Sequence, residues 1–64
     1  MEPIEENDRV ALTQDLPGTD LVAGDTGTVV HVWKDGALLV EFLDSEGKTR
    51  AEKTVPADSV RRVE

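Results

Sequence analysis

A small all-β domain is what this sequence predicts, and three observations carry the prediction. Short runs rich in Val, Leu, Thr and Phe alternate apolar with polar residues, the period of a half-buried strand. Between them lie clusters of Gly, Pro, Asp and Ser that turn the chain and cannot sustain a ladder. The helical signal over residues 56–60 is one turn of 3₁₀ helix, too short for a stable α-helix.

The stretch 23–33 organises the rest: a turn bracketed by Gly24 and Gly27 feeds directly into a β-branched strand. Before it, residues 8–13 alternate, with Val10 and Leu12 on one face and Arg9, Ala11 and Thr13 on the other. Residues 14–24 form a long loop through Asp15, Pro17, Gly18 and Asp20, and its Leu16, Leu21 and Val22 should fold back onto the core. At the corner one or both glycines take positive φ. Residues 28–33 hold the strongest strand composition of the chain. Strict alternation there buries Val30 and Val32 with Thr28, whereas a bulge buries Val29 and Val32; the bulged register is preferred. Lys34-Asp35-Gly36 is then a hairpin turn of the Asp-Gly kind, in which consecutive residues take positive φ.

In residues 37–43, Leu38, Val40 and Phe42 face inward, and Glu41 fixes the wet face, on which Leu39 and Leu43 are also left. Residues 44–47 make a second hairpin turn into residues 48–55, the most polar strand, an edge guarded by Arg50, Glu52 and Lys53. Pro56 ends that ladder, and residues 61–64 form a last short strand. Five short strands, a long first loop, tight middle connections and a single 3₁₀ turn before the last strand are the layout of a small SH3-like barrel.

The 64 residues make one domain, with residues 1–7 a flexible acidic N-terminus and 8–64 the barrel. Without cysteine there is no disulfide framework and no thiolate metal site, so stability rests on packing or on a partner subunit. The acidic start lacks the basic residues and apolar run of a signal peptide, and no apolar run approaches a membrane span; the expected location is the cytoplasm. Seven basic against fourteen acidic residues give a net charge of −7. That charge opposes binding to a phosphate backbone. It serves solubility, or it steers a basic partner.

Val10-Ala11-Leu12, Asp15-Leu16-Pro17, the run 24–30, Asp35-Gly36, Val40-Glu41-Phe42, Asp44 with Gly47, and Val55-Pro56-Ala57-Asp58 together resemble the short bacterial proteins grouped as domain of unknown function 4926, over residues 8–63. The resemblance implies an SH3-like β-barrel and carries no assigned activity. Gly27, Val29 and Val32 are more loosely similar to the KOW-type modules of ribosomal and transcription proteins, whose basic loops this chain lacks.

No catalytic set can be assembled. His31 is the one histidine, and no spacing supplies it with a nucleophile, metal or carboxylate, so an exposed strand residue is the expectation. Asp15, Asp20 and Asp25 lack the alternate spacing of a calcium loop and read as solvated turn carboxylates. The Gly24–Gly27 segment leads into a strand rather than a helix, against a phosphate loop. Ser45, Ser59 and the threonines have no neighbouring base. No metal and no cofactor are expected.

Trp33 either caps the core with its ring, the preferred reading, or stands at the surface as an interaction anchor. Val30, Leu39 and Leu43 form an outward apolar stripe of the sort that marks a contact surface. The sequence therefore reads as a non-catalytic protein-interaction module or accessory protein. Its partner-binding residues are Val30, Trp33, Leu39 and Leu43, and its partner is another protein or a second copy. One alternative is KOW-like nucleic-acid or ribosome binding through Lys48, Arg50, Lys53, Arg61 and Arg62. Another is an acidic, immunity- or antitoxin-like protein.

Overall fold

The computed structural model describes residues 3–63; Met1 and Glu2 of the expected flexible segment, and Glu64 of the expected last strand, lie outside the described residues. One antiparallel sheet contains β1 (Arg9–Leu12), β2 (Thr26–Val32), β3 (Leu38–Leu43), β4 (Thr49–Val55) and, after a 3₁₀ turn at Ala57–Ser59, β5 (Val60–Arg62). Its five strands lie in the order β4-β3-β2-β1-β5. The all-β class and the 3₁₀ turn before the last strand are as the sequence predicts, but the barrel is not closed. Closure needs a ladder between β4 and β5, and β4 pairs with β3 while β5 pairs with β1. Pro56 has no N–H to extend the β4 ladder, and the 3₁₀ turn carries the chain back beside β1 instead.

Val10, Leu12, Val29, Leu38, Val40, Phe42, Val55 and Val60 bury on one side of the sheet, with Leu21 of the β1–β2 loop (residues 13–25) among them. No helical layer covers this face. It is sealed by Leu21 and by Ile4, Leu16, Val32 and Ala51 packed at its margin. Each fully buried Leu, Val or Phe contributes roughly 1.5–3 kcal/mol relative to exposure. Ile4 is held there from the main chain: Asn7, at φ 74°, donates its N–H to the Val29 carbonyl at 2.7 Å, and Arg62 Nη2 donates to the Pro3 carbonyl at 2.8 Å.

Three local expectations change. Ala11, expected outward, is 2 % exposed, because β1 lies inside the sheet with Thr26 and Arg61 in register on either side of it. Val22, expected to pin the β1–β2 loop, is exposed; Leu16 and Leu21 do the pinning, joined by the Leu16 N–H donating to the Leu21 carbonyl. The Asp35-Gly36 turn has positive φ at Gly36 alone. Gly36 N–H closes on the Trp33 carbonyl and Trp33 N–H on the Ala37 carbonyl, both at 2.9 Å, so Lys34, Asp35 and Gly36 together span the hairpin. The β3–β4 hairpin repeats the device, with Asp44 Oδ1 accepting from the N–H groups of Glu46 and Lys48.

Of the two corner glycines, Gly24 has positive φ and Gly27 sits inside β2, where a methyl group would lie 2.6 Å from the Glu41 carbonyl oxygen and 2.7 Å from Val40 Cγ1. Gly27 is there so that β3 can approach. Both atoms belong to the packed centre of the sheet and neither can yield cheaply. We therefore expect Gly27→Ala to lower unfolding free energy by about 2 kcal/mol or more, read as a lower urea midpoint.

Candidate functional site

Two irregularities in the ladders aim the side chains that matter. Between β2 and β3, Val29 opposes Val40 but His31 opposes Leu39, so Val30 is an extra, unpaired residue. Between β3 and β4, Phe42 opposes Ala51 but Leu43 opposes Thr49, so Arg50 is skipped in the same way. An extra residue changes the parity of the strand after it. In β2, where Val29 before it is buried, this lets Val32 reach the core margin opposite Leu38 and puts Val30, His31 and Trp33 on the outer surface.

The outer surface is the face of β2, β3 and β4 opposite the core. Trp33 is 43 % exposed and Val30 38 %, so the core-capping reading of Trp33 is corrected: its ring packs edge-on against His31, centroids 4.4 Å apart at 77°. His31 in turn lies 3.7 Å from Glu6. A shallow groove beside Trp33 is lined by His31, Val32, Ala37 and Thr54 together with the turn residues Lys34 and Asp35. Leu39 and Leu43 share the outer face but are only half exposed, and Glu41 stands between them. The expected stripe is thus two patches. One is Trp33, His31, Val30 and Leu39 at the β2–β3 hairpin end; the other is Leu43 at the far end of β3.

Glu41 carries a second feature of this face. Its cross-strand partner on β4 is Glu52, and on β2 it is Thr28, which pairs in turn with Arg9 of β1. Two carboxylates therefore sit directly opposite one another in a ladder, an arrangement that disfavours pairing. Among the described residues neither makes an ion pair, and Arg9, beyond Thr28, reaches neither. Lys53, beside Glu52, points to the other face, in register with Val40.

Of the remaining strand cations Arg50 and Arg62 are occupied, while Arg61 of β5 makes no ion pair among the described residues. Arg50 Nη2 lies 3.1 Å from Asp20 Oδ2 and donates to the Asp20 carbonyl, while its Nη1 donates to Asp25 Oδ2 at 3.2 Å. This ties edge strand β4 to the β1–β2 loop. Asp20 and Asp25 thus converge on a guanidinium, and Asp15 spends an oxygen on the Ala23 N–H. Arg62 pairs with Asp8 at 3.1 Å, and Lys48 lies 4.0 Å from Glu46. The five basic residues of the nucleic-acid alternative are split between β4 and its approach on one edge and β5 on the other. Among the described residues no group of three or more His, Cys, Asp or Glu is placed to hold a metal ion, and no helix is long and apolar enough to cross a membrane.

The sequence misses the Glu41–Glu52 opposition because it depends on where the extra residue of β4 falls. His31 and Trp33, two positions apart, share a face in any register, and the extra residue of β2 decides only which face that is. Val30 had a signal, in the run of consecutive β-branched residues after a glycine; the shift at Arg50 had none that we recognise.

The clamps also set the acid behaviour. The Glu5 N–H, followed by the Arg62 guanidinium, holds the Asp8 carboxyl below its usual range; hydrogen bonds from Arg50, and then its charge, do the same for Asp20. Folded-state values below the unfolded ones stabilise the chain above the unfolded carboxylate pKa, and that contribution disappears as pH falls through the folded values. The urea midpoint should accordingly drop from about pH 4 downward. Asp20→Asn with Asp8→Asn should lower it at pH 7 and flatten the acid limb; an unchanged limb would mean the clamps do not persist in solution.

No curated protein and no solved structure matches this chain. A family model does, over residues 6–62, nearly the whole described domain. The chain belongs to the family described as domain of unknown function, DUF4926.

Proposed function

We propose that this chain is a non-catalytic protein-binding module of the cytoplasm and that it docks through the outer face at the β2–β3 hairpin, with Trp33 as anchor and Val30, His31 and Leu39 around it. The observation that carries the reading is the placement of Trp33. The chain's single tryptophan stands 43 % exposed at the end of β2, where its N–H closes the hairpin on Ala37, near the exposed extra residue Val30, while the other large apolar side chains of β2 and β3 lie in the core or are half covered. A tryptophan fixed by a hairpin loses little entropy when it is covered, the usual property of an energetic centre in an interface. The strand order and the 3₁₀ turn before β5 support an SH3-like architecture for the module, open between β4 and β5.

Leu43 is separated from this patch by Glu41 and takes the periphery. The test is affinity capture from native extract with the chain and with Trp33→Ala and Val30→Asp, each first checked for an unchanged thermal melt. Truncating the anchor should weaken capture by about 2 kcal/mol, roughly thirtyfold in Kd. Capture indifferent to both substitutions would reject this face.

A further inference from the structure

The reading above leaves the partner's chemistry open, and the outer face itself narrows it. We infer that the occupant of this face is a cationic segment of another protein that carries basic and apolar side chains on one side, its Lys or Arg side chains meeting Glu41 and Glu52 while its apolar side chains cover Val30, Trp33 and Leu39. The inference rests on that choice of face and adds the sign of its partner.

Charge complementarity carries it. Glu41 and Glu52 oppose each other in register at the middle of the face, between Leu39 and Leu43. On β2, β3 and β4 every residue paired on this side is Thr, Leu, Glu or His; the basic residues of β4 are turned to Asp20 and Asp25 or to the far face, and the arginines that share this side, Arg9 and Arg61, lie beyond β2 on β1 and β5 and reach neither carboxylate. Glu6 adds a further carboxylate beside His31. Like charges placed opposite in a ladder weaken the free sheet, and a cation between them converts that repulsion into two attractions. A bound Lys or Arg supplies that cation.

The same geometry argues against a second copy. A two-fold interface centred on this face would set each copy's Glu41–Glu52 pair against the other's, between chains that each carry a charge of −7. A nucleic acid brings phosphates to the same carboxylates. A cationic protein segment satisfies both the carboxylates and the apolar patch.

The probe is a synthetic octapeptide with Ser at every second position and both Leu and Lys at the positions between, so that an extended chain carries them on one side, with Leu–Gln and Leu–Glu counterparts, titrated calorimetrically and by the fluorescence of Trp33. The Leu–Lys peptide should bind at least tenfold more tightly than the Leu–Gln peptide, and less tightly as salt rises. Glu41→Gln with Glu52→Gln should weaken binding about three- to tenfold while raising the urea midpoint of the free chain, a pairing of effects that a merely structural role does not give. Removing two charges elsewhere, Glu46→Gln with Asp58→Asn, should change the affinity less than about twofold. Equal binding of the Lys and Gln peptides, or an equal loss from the Glu46 and Asp58 substitutions, overturns the inference. If Val30→Asp and Trp33→Ala still abolish peptide binding in that case, the docking face stands and only its charge preference falls. If they leave it unchanged, the face falls as well. A dimer in sedimentation that Glu41→Gln with Glu52→Gln strengthens and that excludes the peptide overturns the inference in favour of a second copy.

Discussion

β2 has to satisfy two ladders at once, and the extra residue at Val30 is what lets it do so. Its first half pairs with β1 on one side and β3 on the other, through Gly27 and Thr28. Its second half pairs with β3 alone, through His31 and Val32. Val29 and Val32 both turn to the core side, three positions apart, which strict alternation forbids. Without the shift the parity set by Gly27 and Val29 would continue, turning His31 and Trp33 to the core side and Val30 and Val32 to the outer one. Leu38 would then face His31 in place of Val32, and the core margin would lose an apolar side chain. Core and outer face are therefore set by one local choice, which sits next to the close approach of β3 at Gly27.

Arg50 shows the same device put to another use. As the skipped residue of β4 it is free of ladder parity, and its guanidinium reaches carboxylates in a loop 25 and 30 residues earlier. An open sheet needs such ties, because its edge strands have a neighbour on one side only. Arg62 performs the equivalent service at the other edge, for Asp8 and Pro3. Using the arginines internally has an electrostatic consequence. The carboxylates left over define the character of the surface, and two of them stand opposed on the face that also presents the tryptophan.

How much of this is legible in the sequence follows from how local each feature is. β3 reads correctly because its alternation is unbroken and Gly36 and Gly47 mark both ends. The inward set Leu38, Val40 and Phe42 and the outward Glu41 follow from parity alone. The class and the 3₁₀ turn follow from turn chemistry around Pro56. Closure does not, since whether β5 joins β1 alone or also reaches β4 is a matter of distant pairing that no single segment encodes. Trp33 lies beyond the bulge, so its side of the sheet depends on a residue count the composition leaves open. Leu39 and Leu43 are on the expected face, but their separation by Glu41, and the arrival of Glu52 opposite it, depends on the second shift.

The fastening of Pro3 to Arg62 bears on how the chain is wired as a whole. The Arg62 side chain donates to the Pro3 carbonyl at 2.8 Å and the Val63 N–H to that of Arg9, so the two ends of the described chain lie side by side. Joined by a short bridge, they would make a near-continuous loop that can be reopened at a hairpin without reordering any strand. The most suitable opening is the 44–47 turn, whose hydrogen bonds are local and whose residues are exposed. A circularly permuted chain of this kind keeps the Trp33 hairpin intact, and a host protein receiving the domain in one of its own loops need open no wider than the gap between neighbouring strands.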